Sequence, residues 1–159
     1  MPTYKIMLLL FLVNGAPIIL CKLLDRRYDW PVDGGHHGCD NKRLLGPSKT
    51  WRGIFGALLT GSLASYLMGV GAVLGLAVAA LAMLGDVFSS FVKRRLDIPS
   101  SGMALGLDQI PEALLPLLWL KAQLHFGYGK VLWLAFAFVV LELAASKVLY
   151  RLKIRKQPY

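Results

Sequence analysis

From Gly53 to Gly85 the chain carries no charged residue, a run of 33 positions. As one continuous helix at ~1.5 Å per residue it would extend about 50 Å, well past the ~30 Å hydrocarbon core of a bilayer. A soluble core built from 159 residues has no use for so long an apolar element. The run must fold back on itself, and Gly69-Val70-Gly71 is where it can turn. With 56% of the residues apolar, the pattern excludes an ordinary soluble globule, a disordered chain and a collagen-like chain. It predicts an all-α integral membrane protein, one bundle of about five transmembrane helices without a second domain.

The expected spans are about 6–24, 51–68, 70–92, 108–124 and 130–150, with long loops at about 25–50 and 93–107. Pro111 suits a first helical turn, whereas Pro116 predicts a kink that neighbouring helices repair. Of the 18 Lys and Arg residues, all but Lys5, Lys121 and Lys130 fall at the loop-bearing side. The positive-inside rule then places the N-terminus outside and the C-terminus in the cytoplasm, in a multi-pass cell-membrane protein. An odd number of spans is required, and five fits. Lys5 ahead of an apolar stretch also resembles a signal peptide, but no A-x-A-like cleavage site follows. Gly61, Ser65 and Gly69 on one helix and Gly71, Gly75 and Ala79 on the next predict close packing of the central hairpin. The G-x-G-x-x-x-G spacing from Gly69 to Gly75 is not a nucleotide-binding fingerprint.

Eight of the nine acids, all but Glu142, fall on or beside the two long loops. Reactive groups are therefore concentrated at one membrane face. Pro47-Ser48-Lys49-Thr50-Trp51-Arg52-Gly53 joins two hydroxyls and two cations to the free N–H groups of a helix start. Such a constellation suits phosphate. It equally suits an interfacial anchor with Trp51 at headgroup depth. On the next helix, Asp86, Ser90, Lys93 and Arg94 recur at i, i+4, i+7 and i+8 and share a face. An acid at the end of an uncharged span is costly unless paired or cation-bound, so Asp86 is either the partner of a nearby base or a metal ligand. Asp108, after a loop through Ser100, Ser101 and Gly102, reads as a helix N-cap, with Glu112 favoured by the helix dipole. If it converges with Asp86, the two carboxylates suit Mg²⁺ completed by substrate phosphates.

Ser48-Lys49-Thr50-Trp51-Arg52-Gly53, the Gly85-Asp86…Ser90-Phe91-Val92-Lys93-Arg94 helix and Leu107-Asp108-Gln109 together resemble the CTP-dependent lipid cytidylyltransferases. The chain is more similar to the short, five-span CDP-archaeol synthase branch than to the longer CDP-diacylglycerol synthases. Pro99-Ser100 stands where the long branch has Lys-Asp, and Asp108 is followed by Gln109 rather than Arg. The resemblance implies transfer of CMP from CTP to a membrane lipid phosphate, either phosphatidic acid or an archaeal-type ether lipid phosphate. It implies Mg²⁺ on Asp86 and Asp108. Ser48, Lys49, Thr50 and Arg52 would hold the triphosphate, and Lys93 and Arg94, with Ser90 beside them, would neutralise pyrophosphate or the lipid phosphate. The site would face the cytoplasm. A homodimer is compatible with this reading.

Other signals are weaker. His36-His37-Gly38-Cys39 with Asp33 and Asp40 is too crowded for a standard zinc spacing, and a loop folding over nucleotide is expected instead. Cys21 and Cys39 both lie on the cytoplasmic side, where no disulfide is expected. Glu142, deep in a span, either bonds an interior group such as Asn14 or lines a lipid cavity. The basic tail from Arg151 to Lys156 suits anionic lipid. Nucleic acid is not an expected partner, because the aromatic residues belong to the spans. Two rival readings share these features: a non-catalytic protein that binds or transports anionic lipid, and a transporter in which Asp86 and Glu142 relay protons.

Overall fold

Among the described residues five helices form where the apolar runs lie: α1 (Thr3–Leu24), α2 (Trp51–Leu67), α3 (Ala72–Arg95), α4 (Gln109–Leu124) and α5 (Tyr128–Arg151). The computed structural model describes residues 1–25, 27–100, 102 and 104–152. Arg26, Ser101 and the tail residues Lys153, Arg155 and Lys156 lie outside them. Among the described residues, α1, α3 and α5 are long and apolar enough to cross a membrane. The 17 residues of α2 and 16 of α4 span about 25 Å, slightly less than a hydrocarbon core.

The hairpin turns at Gly69 and Gly71, whose φ values of 69° and 103° suit glycine and disfavour other residues. Ser65 Oγ donates to the Gly71 carbonyl at 2.8 Å and ties off this turn. Behind it the small residues do the packing: a Cβ placed on Gly61 would stand 2.7 Å from the Gly75 carbonyl oxygen. α2 lies between α1 and α3, α4 packs on α3 and α5, and α1 reaches across to α3 and α5.

The core is an apolar seam through the bundle, with Leu9, Leu10 and Val13 of α1 meeting Val78, Leu117, Leu134 and Phe138. Leu59, Leu67, Val73, Trp133 and Phe136 are exposed on the outside. Exposed apolar surface on every side is what a lipid solvent requires, and no soluble protein this small tolerates it. α4 continues through Pro116 without a break in helix, with Pro116 buried against its neighbours.

Candidate active site

Both long loops sit at the end of the bundle formed by the C-termini of α1, α3 and α5 and the N-termini of α2 and α4. The first loop doubles back on itself. Its ends run antiparallel, with Val32 N–H donating to the Lys49 carbonyl at 2.8 Å and Trp51 N–H to the Trp30 carbonyl at 3.0 Å. This brace presents Ser48 and Lys49 at the mouth of α2. Thr50 is the N-cap of α2, its hydroxyl accepting from Gly53 N–H at 3.4 Å.

Asp33 is the knot of that loop. Its buried carboxylate accepts from the Arg43 guanidinium and from the N–H groups of Gly35, Leu45 and Gly46, at 2.9–3.1 Å. Burial works against its charge. The Arg43 guanidinium and the Gly46, Gly35 and Leu45 N–H groups outweigh it and hold the group far below the usual carboxylate range. Because the folded chain binds this proton less readily than the unfolded chain, the knot contributes its full stability above about pH 4 and loses it as acid protonates Asp33. Amide exchange at Gly35, Leu45 and Gly46, corrected for intrinsic rate, is therefore expected to show constant protection from pH 8 to pH 5. Asp33→Asn at pH 7 should speed proteolytic cleavage of this loop about tenfold, the kinetic equivalent of ~1.4 kcal/mol. A loss of protection between pH 7 and pH 5 would contradict the assignment.

The end of α3 grips the same loop. Arg95 donates to Asp40 and to the carbonyls of Lys42 and Arg43, and Lys42 pairs with Asp97 at 2.6 Å. With Asp97 76% exposed, that last pair contributes only ~0–1 kcal/mol.

Two other ion pairs are more sheltered, and they join the elements that carry the motifs. Lys49 Nζ lies 2.6 Å from both carboxylate oxygens of Asp86, linking the entry to α2 with α3. Lys93 Nζ lies 2.8 Å from Asp108 and 3.0 Å from the Gly102 carbonyl, linking α3 to the second loop and to the start of α4. Lys93 is buried, so removing its partner would strand a charge, a loss of up to ~3–5 kcal/mol if fully sheltered. Asp108 occupies the N-cap position of α4 yet makes no side-chain cap bond. Its other oxygen accepts from Ala104 N–H at 3.3 Å. Its carboxylate is thus turned toward Lys93 rather than spent on the helix. Ser100 Oγ stands 3.2 Å from Ser48 Oγ, so the two loops meet there. A Cβ on Gly46 would lie 3.8 Å from Arg94 Cδ, placing Arg94 beside the same segment, and Arg94 Nε is buried without a partner.

Ser48, Lys49, Asp86, Lys93, Arg94 and Asp108 are therefore gathered at one end of the bundle. Ser90 is buried one helical turn beyond Asp86. Arg52 is turned elsewhere: it pairs with Asp29 at 3.0 Å and donates to the carbonyls of Asp25 and Arg27. Its visible work is to hold the start of the first loop. Thr50, likewise, spends its hydroxyl on the helix cap.

One residue of the site is not legible from the motifs. Glu112, one turn into α4, is buried, hydrogen-bonded to Glu142, and within electrostatic reach of Asp86 and Lys49. The available signal was that Glu142 is an acid deep in a span and Glu112 an acid in the first turn of another; what hid the pairing is the 30-residue separation along the chain. Close approach of α3 and α4 at Gly85 produces this neighbourhood, since a Cβ there would meet the backbone of Pro111 and Glu112. Asn14, the partner considered for Glu142, instead donates Nδ2 to the Leu10 carbonyl at 3.0 Å.

Among the described residues no group of three His, Cys, Asp or Glu side chains is arranged to hold a metal ion. Asp86 and Asp108 are each held by a separate lysine, and a Mg²⁺ taken by either carboxylate would complete its shell with substrate phosphates and water, since Mg²⁺ rarely takes an all-protein cage.

Known proteins share this chain's sequence pattern and helical architecture. A family model described as CarS-like CDP-archaeol synthase matches residues 27–159. A CDP-archaeol synthase of Pyrococcus abyssi is 30% identical, the match covering 94% of this chain and 92% of that protein. One from Pyrococcus horikoshii is 29% identical over 94% and 91%. A solved structure described as an intramembrane enzyme for archaeal membrane lipids biosynthesis superposes with a TM-score of 0.74 at 33% identity, covering 89% of this chain and 90% of that one. That likeness extends to a protein that works inside a membrane, in accord with the apolar exterior here. By sequence and by architecture, the chain belongs to the CDP-archaeol synthase family.

Proposed function

We propose that this protein is a CTP-dependent cytidylyltransferase that transfers CMP to a membrane lipid phosphate, an ether-linked archaeal-type lipid phosphate being the acceptor that its relatives' names favour. The observation that carries the reading is the pair of lysine-capped carboxylates, Lys49–Asp86 and Lys93–Asp108, at the one end of the bundle where both loops converge.

A phosphate monoester is already a competent nucleophile, so no Ser or Cys nucleophile is required. One lipid phosphate oxygen attacks the α-phosphorus of CTP; the new P–O bond forms as the bond to the β-phosphate bridge breaks. The electron pair leaves on pyrophosphate. The difficulty is electrostatic, because two polyanions must meet. Lys49 and Ser48 hold the triphosphate at the helix start. Lys93 and Arg94 neutralise charge on the phosphates that arrive or depart. Lysine has a flexible stem, so Lys49 and Lys93 can pass from carboxylate to phosphate as substrate binds. Asp86 and Asp108 would then hold Mg²⁺, which supplies Lewis-acid charge stabilisation at the phosphoryl oxygens. Thr50 and Arg52 act through the loop they brace, keeping Ser48 and Lys49 in place. The loop-bearing end faces the cytoplasm, in keeping with its excess of Lys and Arg.

Incubating purified protein with CTP, Mg²⁺ and a panel of lipid phosphates should give a CDP-lipid detectable by mass spectrometry, with stoichiometric pyrophosphate. The diether lipid phosphate is expected to be turned over fastest. Lipid binding without product from any acceptor would favour the non-catalytic alternative and reject this reading.

A further inference from the structure

We infer that the acceptor lipid reaches the site sideways, through a cleft between α1 and α5, with its glycerol region lodged against Asn14 and Ser146. The inference rests on the proposed transfer reaction and adds the route and the residues that read the lipid.

α1 and α5 are less closely packed than the other neighbouring helices, and a cleft opens between them. Its lining is mostly apolar, with Phe11 and Ile18 from α1 and Leu149 from α5 above the buried Phe138, and Asn14, Glu142 and Ser146 supply its polar groups. Asn14, Glu142 and Ser146 lie between the middle of their helices and the loop-bearing end, with Glu142 nine residues from the end of α5 as Asp86 is from the end of α3. The polar part of the cleft is thus at about the depth of Asp86, below the loop-bearing face. Asn14 Oδ1 is buried there with no hydrogen-bond partner, an unfavourable state for a polar atom. Its carboxamide can turn a donor or an acceptor to a ligand.

These polar groups continue inward. Glu142 is hydrogen-bonded to Glu112, and Glu112 is within electrostatic reach of Asp86 and Lys49. A lipid lying in the cleft therefore has a polar path from its glycerol oxygens to the reacting phosphates, while its chains remain in the bilayer. A second groove, lined by Ile54, Leu58, Ala80, Met83, Leu84 and Val87 between α2 and α3, has no polar side chain. It offers nothing to a glycerol junction.

Gly15 makes the idea testable. A Cβ added there meets no atom within 4 Å and Gly15 lines the cleft, so a side chain at this position starts in open space and extends into the cleft. In wild-type background, Gly15→Phe should raise KM for the lipid phosphate about tenfold or more, leave the Kd for CTP unchanged, and leave the unfolding temperature unchanged or higher. Ala80→Phe, which fills the other groove, should alter neither constant. A diether glycerol phosphate with a diazirine on the first carbon of one chain should crosslink to the 11–18 and 142–149 segments, and Gly15→Phe should suppress that label. An unchanged lipid KM in Gly15→Phe, a larger effect in Ala80→Phe, or crosslinks on 54–58 and 80–87 instead would overturn the inference. If the wild-type protein makes no CDP-lipid, the reaction reading fails, and the crosslink position still tests the cleft by itself.

Discussion

Asp86→Asn and Asp108→Asn are each expected to lower the rate of CMP transfer by about 10²–10³-fold with the five helices still formed, the Asp108 variant being the less stable because it strands the Lys93 charge. Removing one preorganised charge from a polyanion transfer site typically costs that much. Each carboxylate is held by a lysine, at 2.6 Å for Lys49–Asp86 and 2.8 Å for Lys93–Asp108. Asparagine keeps the shape but supplies neither the counter-charge for that lysine nor an anionic ligand for a divalent cation. The Mg²⁺ concentration giving half-maximal rate should rise in both variants. Steady-state transfer at several Mg²⁺ concentrations, with circular dichroism to check the fold, measures this. A variant that keeps more than about a tenth of wild-type activity would remove its carboxylate from the site.

Gly85→Leu should have the largest effect on the fold. At Gly85, α3 lies against α4 so closely that a single added carbon would stand 2.6 Å from the Glu112 backbone nitrogen, a distance that carbon atoms do not adopt. The obstacle is backbone and cannot rotate aside. Overpacking of this kind costs about 1–3 kcal/mol when side chains can yield, and more when the helices must separate. Separation would also move Asp86 away from Glu112, and Lys93 away from Asp108. Monodisperse protein after detergent extraction should fall sharply and the remainder should lack transfer activity. Gly15→Phe, a larger substitution placed where nothing stands within 4 Å, should extract normally. Equal behaviour of the two variants would contradict the α3–α4 contact.

Much of the fold was readable because membrane insertion is governed by local hydropathy. The uncharged run, the Gly69–Gly71 turn and the small-residue spacing were sufficient for the central hairpin, and the helix ends fall within a few residues of the expected spans. The motif residues were likewise visible, since charge beside an apolar span stands out. Their assignments fared unevenly. Asp108 looked like a helix cap by its position and makes no cap bond. Thr50, grouped with the phosphate-binding hydroxyls, is the residue that does cap. Arg52 looked like a phosphate ligand by its neighbours, but Asp29 and two loop carbonyls take its guanidinium. Position along the chain says which groups are near the membrane edge; it does not say which of several nearby partners each group selects.

The chain's own order of residues determined that it is a membrane-embedded helical bundle with its chemistry gathered at one end, because burying apolar runs and excluding charge from lipid are decided segment by segment. Tertiary structure alone decided that Lys49 meets Asp86, that Lys93 meets Asp108, and that Glu112 faces Glu142 beside an open cleft. Those pairings join residues tens of positions apart on different helices. They exist only once the helices have packed, and close approach at glycines such as Gly85 sets which side chains come within reach.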